Sequence, residues 1–144
     1  MRKLSIAIPL LLSVTIAFAG GPETLDKLKQ RAEAAKPENQ PKLSLQVAER
    51  QQLAADEAYR KGNIEEGQAA IEDVARYAEK AGAAAIASHK HLKETEIKLR
   101  DLARKLEELS QTLTLEDREP VQAAMQRLEK VRDGLLQTMF GPKS

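Results

Sequence analysis

The chain has 144 residues, 23 Lys and Arg against 22 Asp and Glu, 3% aromatic residues, and neither Cys nor Trp. The missing cysteines exclude disulfides, thiolate metal sites, a cysteine nucleophile and a lipid-bearing cysteine. A formal net charge of +1 and the shortage of stacking rings leave neither a field nor a platform for nucleic acid.

Met1-Arg2-Lys3 opens the chain, Leu4 to Ala19 is almost wholly apolar, and Ala17-Phe18-Ala19 then gives way to Gly20. A short basic head, an apolar run and a small-x-small exit form the pattern of a secretory signal peptide. The reading places cleavage between Ala19 and Gly20, with Ala17 and Ala19 as the small residues of the exit. Retention as a membrane anchor is the alternative, although the run is shorter than the ~20 residues a span usually needs. The mature part, residues 20–144, is expected to be one domain, exported to the periplasm or the medium and free of the membrane after cleavage. Removing Arg2 and Lys3 takes its net charge from +1 to −1.

Ala, Leu, Glu, Lys, Gln and Arg dominate the mature part, and no stretch alternates with period two. The fold class predicted is therefore all-α. A first helix is expected over about residues 23–36, with Pro22 at its start and a thin stripe of Leu25, Leu28, Ala32 and Ala35. Pro37 and Pro41 bracket a polar loop. A second helix, about 41–61, carries a broad stripe through Leu43, Leu45, Val47, Ala48, Ala55 and Tyr59. A stripe that broad predicts contact with two neighbours. Gly62 ends it in the left-handed conformation glycine supplies. Asn63 then caps the next helix, with Glu66 placed for a capping box. So short a joint makes the two helices an antiparallel hairpin.

The run Ala55-x-x-Ala58-Tyr59-x-x-Gly62-Asn63-Ile64-Glu65-Glu66-Gly67 resembles the turn of a tetratricopeptide repeat. In that repeat a small residue and an aromatic precede Gly-Asp/Asn, followed by an apolar and a small residue. The likeness covers one hairpin, about residues 45–78, and does not recur at the repeat's 34-residue period. The chain as a whole is similar to small exported helical bacterial proteins of unknown function, a likeness that implies no mechanism.

From Ile64 to Leu113 apolar or small residues recur alternately four and three apart, through Ile71, Val74, Ala78, Ala81, Ala85, Ser88, Leu92, Thr95, Leu99, Leu102, Leu106 and Leu109. No proline interrupts the seam, so one helix over 64–112 is expected. It would be about 75 Å long at 1.5 Å per residue. Antiparallel hairpins would then lie in series along one long central helix, an elongated, coiled-coil-like bundle. Gly82 marks the place for a bend, with a compact bundle as the rival arrangement. Glu94–Lys98, Glu96–Arg100 and Asp101–Lys105 read as helix-stabilising pairs on a solvated face. A last helix, about 115–140, follows a Thr114–Asp117 cap and carries Val121, Ala124, Leu128, Val131 and Leu135.

His89 and His91 lie two apart and point away from each other on a helix, so they cannot share a metal. Tyr59 and Tyr77 are expected to pack within the hairpin with their phenols facing out. No nucleophile–base pair or metal set emerges, so neither catalysis nor a cofactor is expected. Tiling of the hairpins leaves Ala84, Ala85, Ile86 and Ala87 at a joint that only the first helix can cover. Left open, those four residues would be a patch for another helix. The function expected is non-catalytic: binding of an unidentified protein partner, or self-assembly as a homo-oligomer. A periplasmic small-ligand or metal carrier, and a membrane-tethered envelope coiled coil, are the alternatives.

Overall fold

The computed structural model describes residues 23–141. The expected signal segment and its cleavage residues Ala17, Ala19 and Gly20 lie outside the described residues. Among the described residues the fold is all-α, a bundle of five helices with no strand: α1 (Leu25–Ala34), α2 (Gln40–Arg60), α3 (Ile64–Ser88), α4 (Leu92–Thr112) and α5 (Leu115–Phe140).

Local chemistry sets most of the boundaries. Thr24 caps α1 by accepting a hydrogen bond from the Lys27 amide at 3.3 Å. Helix α1 therefore starts later than its proline suggested. It closes at Ala35, two residues before Pro37, and Gln40 Nε2 donates back to the Ala32 carbonyl at 3.2 Å. Gly62 takes φ +79° at the end of α2. There the Asn63 amide donates to Ala58 O at 2.8 Å and the Gly62 amide to Tyr59 O at 3.1 Å. These two bonds make a complete Schellman stop. The expected capping box is not formed, because the Asn63 side chain makes no cap hydrogen bond and its carbonyl alone serves the Gly67 amide. Thr114 does cap α5, accepting from the Asp117 amide at 3.4 Å.

The seam does not run on as one helix. It breaks between Ser88 and Leu92, where His89 (φ 53°) and His91 (φ 60°) both adopt the left-handed conformation. Gly82, the expected bend, stays inside α3. The reason is tertiary. A straight 64–112 helix would leave each hairpin with one apolar side in water. Bending lets the α4–α5 hairpin lie on the α2–α3 hairpin the same way round, α4 beside α2 and α5 beside α3. Leu99, Leu102, Leu106, Leu128 and Leu135 are then at most 1% exposed. Burying one such side chain contributes about 1.5–3 kcal/mol, whereas a left-handed residue costs roughly 1–2 kcal/mol. Several leucines outweigh two histidines. The elongated arrangement on one central helix is thus replaced by a compact bundle.

Contacts between the hairpins fix their direction. Glu72 and Glu79 on α3 both accept from Arg127 on α5. A Cβ on Gly82 would lie 2.1 Å from Val131 Cγ1, and one on Gly134 would lie 3.5 Å from Ile86 Cδ1. Residue numbers rise together along both helices, so α3 and α5 run parallel. On the other side Lys98 of α4 meets Glu49 of α2 at 3.0 Å. Only a bare glycine lets α5 approach α3 so closely at position 82.

Helix α1 packs on α2, burying Leu28 and Ala32. Polar bonds pin it from the other side. Asp73 Oδ2 on α3 accepts from Lys29 Nζ of α1 and Gln51 Nε2 of α2, each at 2.6 Å. Tyr77 Oη donates to Glu33 at 3.2 Å. Tyr77 is 2% exposed, so its phenol is covered by α1 and, contrary to expectation, does not face solvent. Burial, with Glu33 beside it, pushes that phenol above the usual tyrosine range.

Candidate functional site

The four-residue joint Ala84–Ala87 is not an open patch. Ala84 and Ala85 are buried, Ile86 is half-buried, and only Ala87 is exposed. At Ile86 the joint is met by α5, through Gly134, and not by α1. Position 134 carries no side chain, which is the feature of α5 that a search for apolar periodicity passes over.

The surface of α4 is also less simple than its charge pattern. Asp101 holds Lys105 at 3.2 Å, as the spacing predicts, and also Arg104 at 2.7 Å. These two partners hold the Asp101 carboxyl below the usual carboxylate range. Lys98 reaches across to α2 instead of back to Glu94. Glu96 is 7% exposed and takes both Arg132 Nε and Nη2 of α5, at 3.1 and 2.8 Å. Helix α4 lies between α2 and α5, so two of its three expected local pairs are exchanged for bonds between helices. Accepting both Arg132 bonds on its one oxygen Oε1, Glu96 fixes the register of α4 on α5.

Two surface features remain that the core does not use. One lies where the C-terminal end of α5 meets the start of α4. Phe140 is 80% exposed and Ile97 is 41% exposed. They line one shallow concavity with the half-buried Leu136 and Met139, flanked by Lys93 and Arg100. Phe140 closes the last turn of α5, and Gly141 follows at φ +78°. The Phe140 ring stands at the rim of the concavity.

The second feature is a cleft of about 610 Å³ between α2 and α4. Asp56, Arg60, Lys105 and Glu108 line it with balanced charge, and the exposed Leu53 sits at its edge. Tyr59 forms part of its floor. The ring packs on Gly67, where a Cβ would come within 2.8 Å. The Tyr59 hydroxyl is buried and has no hydrogen-bond partner, so this phenol too fails to face solvent. Burial, with Asp117 nearby, raises its pKa. Burial also raises that of Asp56, against the opposing bond from Gln52 Nε2 at 2.6 Å. The Tyr59 hydroxyl is sealed below the surface, so Gln52, Asp56, Arg60, Lys105 and Glu108 are the lining groups that can hydrogen-bond a small polar guest. Ser44 and Thr95 also hold unpartnered buried hydroxyls, but neither lines the cleft.

Among the described residues no three His, Asp or Glu side chains lie close enough to hold a metal. His89 and His91 are both exposed. His91 Nδ1 lies 3.0 Å from Glu94 Oε2. Among the described residues no helix is long and apolar enough to cross a membrane. Compared with protein-family models, curated proteins and solved structures, the chain matches none of them.

Proposed function

We propose that this chain is an exported, non-catalytic helical protein that acts by binding another protein or by assembling with itself. The observation that carries the reading is the Ile97, Leu136, Met139 and Phe140 surface. A phenylalanine 80% exposed among other apolar side chains, with Lys93 and Arg100 at the rim, has the make-up of a contact surface. Export rests on the Met1–Ala19 pattern alone. The Tyr59 ring seated on Gly67 beside the Gly62 turn supports the tetratricopeptide-like reading of the first hairpin.

The test combines light scattering after size exclusion with a pull-down from envelope extract, for the wild type and Phe140→Asp. The reading expects Phe140→Asp to lose the partner or the oligomer with the thermal midpoint unchanged. Unaltered assembly and capture would remove the Phe140 surface from consideration.

One observation favours a second reading, a periplasmic carrier of a small polar ligand: the α2–α4 cleft of about 610 Å³ with Asp56, Arg60, Lys105 and Glu108 on its wall. Native mass spectrometry of protein taken from its source cell would show the carried mass. Protein that carries no added mass counts against this reading.

A further inference from the structure

We propose that the Ser88–Leu92 joint is a hinge through which two copies of this chain exchange hairpins, the α4–α5 hairpin of one seating on the α2–α3 hairpin of the other. This makes the self-assembly arm of the proposed function specific and rests on it, but uses a different surface from Phe140.

Three observations converge on the joint. First, its backbone takes the left-handed conformation twice, at residues that carry a side chain. His89 and His91 hold φ 53° and 60°, a region that glycine enters freely and histidine does not. Second, little holds the joint closed locally. The His89 amide reaches Ile86 O at a long 3.4 Å, the Lys90 amide reaches Ser88 Oγ at a long 3.3 Å, and the His91 side chain caps no amide of α4. Lys90 touches Glu38 at 3.3 Å with both side chains more than half exposed, a contact worth little in water. Third, nothing in the sequence requires a break. Ala85, Ser88, Leu92 and Thr95 keep the heptad phase across it, and neither glycine nor proline lies between Ser88 and Leu92.

What bends the chain is the interface between the hairpins: Arg127 with Glu72 and Glu79, Val131 on Gly82, Gly134 on Ile86, and Lys98 with Glu49. Every one of these contacts joins a residue before the hinge to a residue after it. A second copy can therefore supply all of them unchanged. In the exchanged dimer α3 and α4 become one helix over 64–112. Amides at the start of α4 and carbonyls at the end of α3 then gain intrahelical partners, and both histidines leave the left-handed region. Only the loss of freedom on association opposes exchange, so concentration decides the outcome. Short strained connections between domains that could pair equally well with another copy invite this exchange.

The experiment uses the full mature chain. It has no cysteine, so spin labels on Gln68→Cys and Glu108→Cys report only those two exposed positions. Labelled chains are refolded at high concentration with excess unlabelled chain, so that only distances within one chain are read, and the dimer is isolated. The proposal expects a separation of about 60 Å in that dimer, the length of 40 helical residues. The double variant His89→Gly/His91→Gly should lower the dimerisation constant by about tenfold or more, because glycine removes the strain of the closed joint. His89→Ala/His91→Ala should raise it, because alanine favours the straight helix. A chain that stays monomeric at every concentration overturns the proposal. So does a dimer whose labels are less than about 30 Å apart, half the straight-helix value; that outcome would point to side-by-side association and leave the Phe140 reading standing.

Discussion

Two connections in this chain look alike in length and differ in kind. At Gly62–Asn63 the turn is written into the residues: a glycine at φ +79° and two short backbone hydrogen bonds. At His89–His91 it is imposed on residues that would continue a helix, and only packing between the hairpins holds it. The first is a local decision and the second a global one. Within one small bundle, a break in a helix therefore does not show by itself whether the adjacent sequence asks for it.

That difference predicts an order of effects. Interface leucines should matter most, since they hold the second joint closed as well as filling the core. Leu102, 1% exposed, should cost on the order of 2–5 kcal/mol as Leu102→Ala, read as a lower midpoint in urea. An unchanged midpoint would mean that the leucine faces solvent. Gly82→Ala comes next. Its methyl would meet Val131 Cγ1 at 2.1 Å, and such overpacking costs about 1–3 kcal/mol. Val131→Ala in the same chain should return part of that loss.

The two turns should then respond oppositely to the same chemistry. Gly62→Ala puts a Cβ at a left-handed position and should destabilise by about 1 kcal/mol. His89→Gly removes one, and should stabilise the monomer by about 0.5 kcal/mol after glycine's greater unfolded-state entropy is offset. Chemical denaturation of both variants reads the two signs. Loss of stability in both would remove the distinction between the joints.

How much of this was legible follows the same line. The all-α class, the Gly62 stop and the Thr114 cap come from residues acting on their own neighbours. So do the leucine seams, because heptad spacing shows which side of a helix is buried. Spacing does not name the partner. Ser88 to Leu92 therefore reads as helix, and Glu96 reads as a mate for Arg100 when it bonds Arg132 across to α5. Ala84 and Ala85 read as an open joint because the line taken by α5 depends on the bend. Of the two surface features, Phe140 was visible as a helix end, but its exposure was not. The Tyr59 cleft was invisible, since its lining is drawn from α2 and α4, which are neighbours only in the bent chain.

The smallest expected effect probes that cleft, one seam between the hairpins. Burial raises the Asp56 pKa above its ordinary value of 3.8. The folded chain therefore binds this proton more tightly than the unfolded chain. The contribution of Asp56 to stability is best below pH 3.8 and declines as pH rises through the higher folded value. Asp56→Asn should thus raise the thermal midpoint slightly at pH 7, and the gain should vanish near the acidic end. A gain independent of pH would assign it to something other than this carboxyl.

The central claim is that the monomer bends at His89–His91 and brings its two hairpins together. Spin labels on Gln68→Cys and Glu108→Cys, measured in the isolated monomer fraction, test it most directly. Both positions lie at the Gly62 end of the bundle, so a bent monomer keeps them less than about 30 Å apart, half the length of the same stretch as straight helix. A distance near 60 Å, the rise of 40 helical residues, would mean one continuous helix and would contradict it.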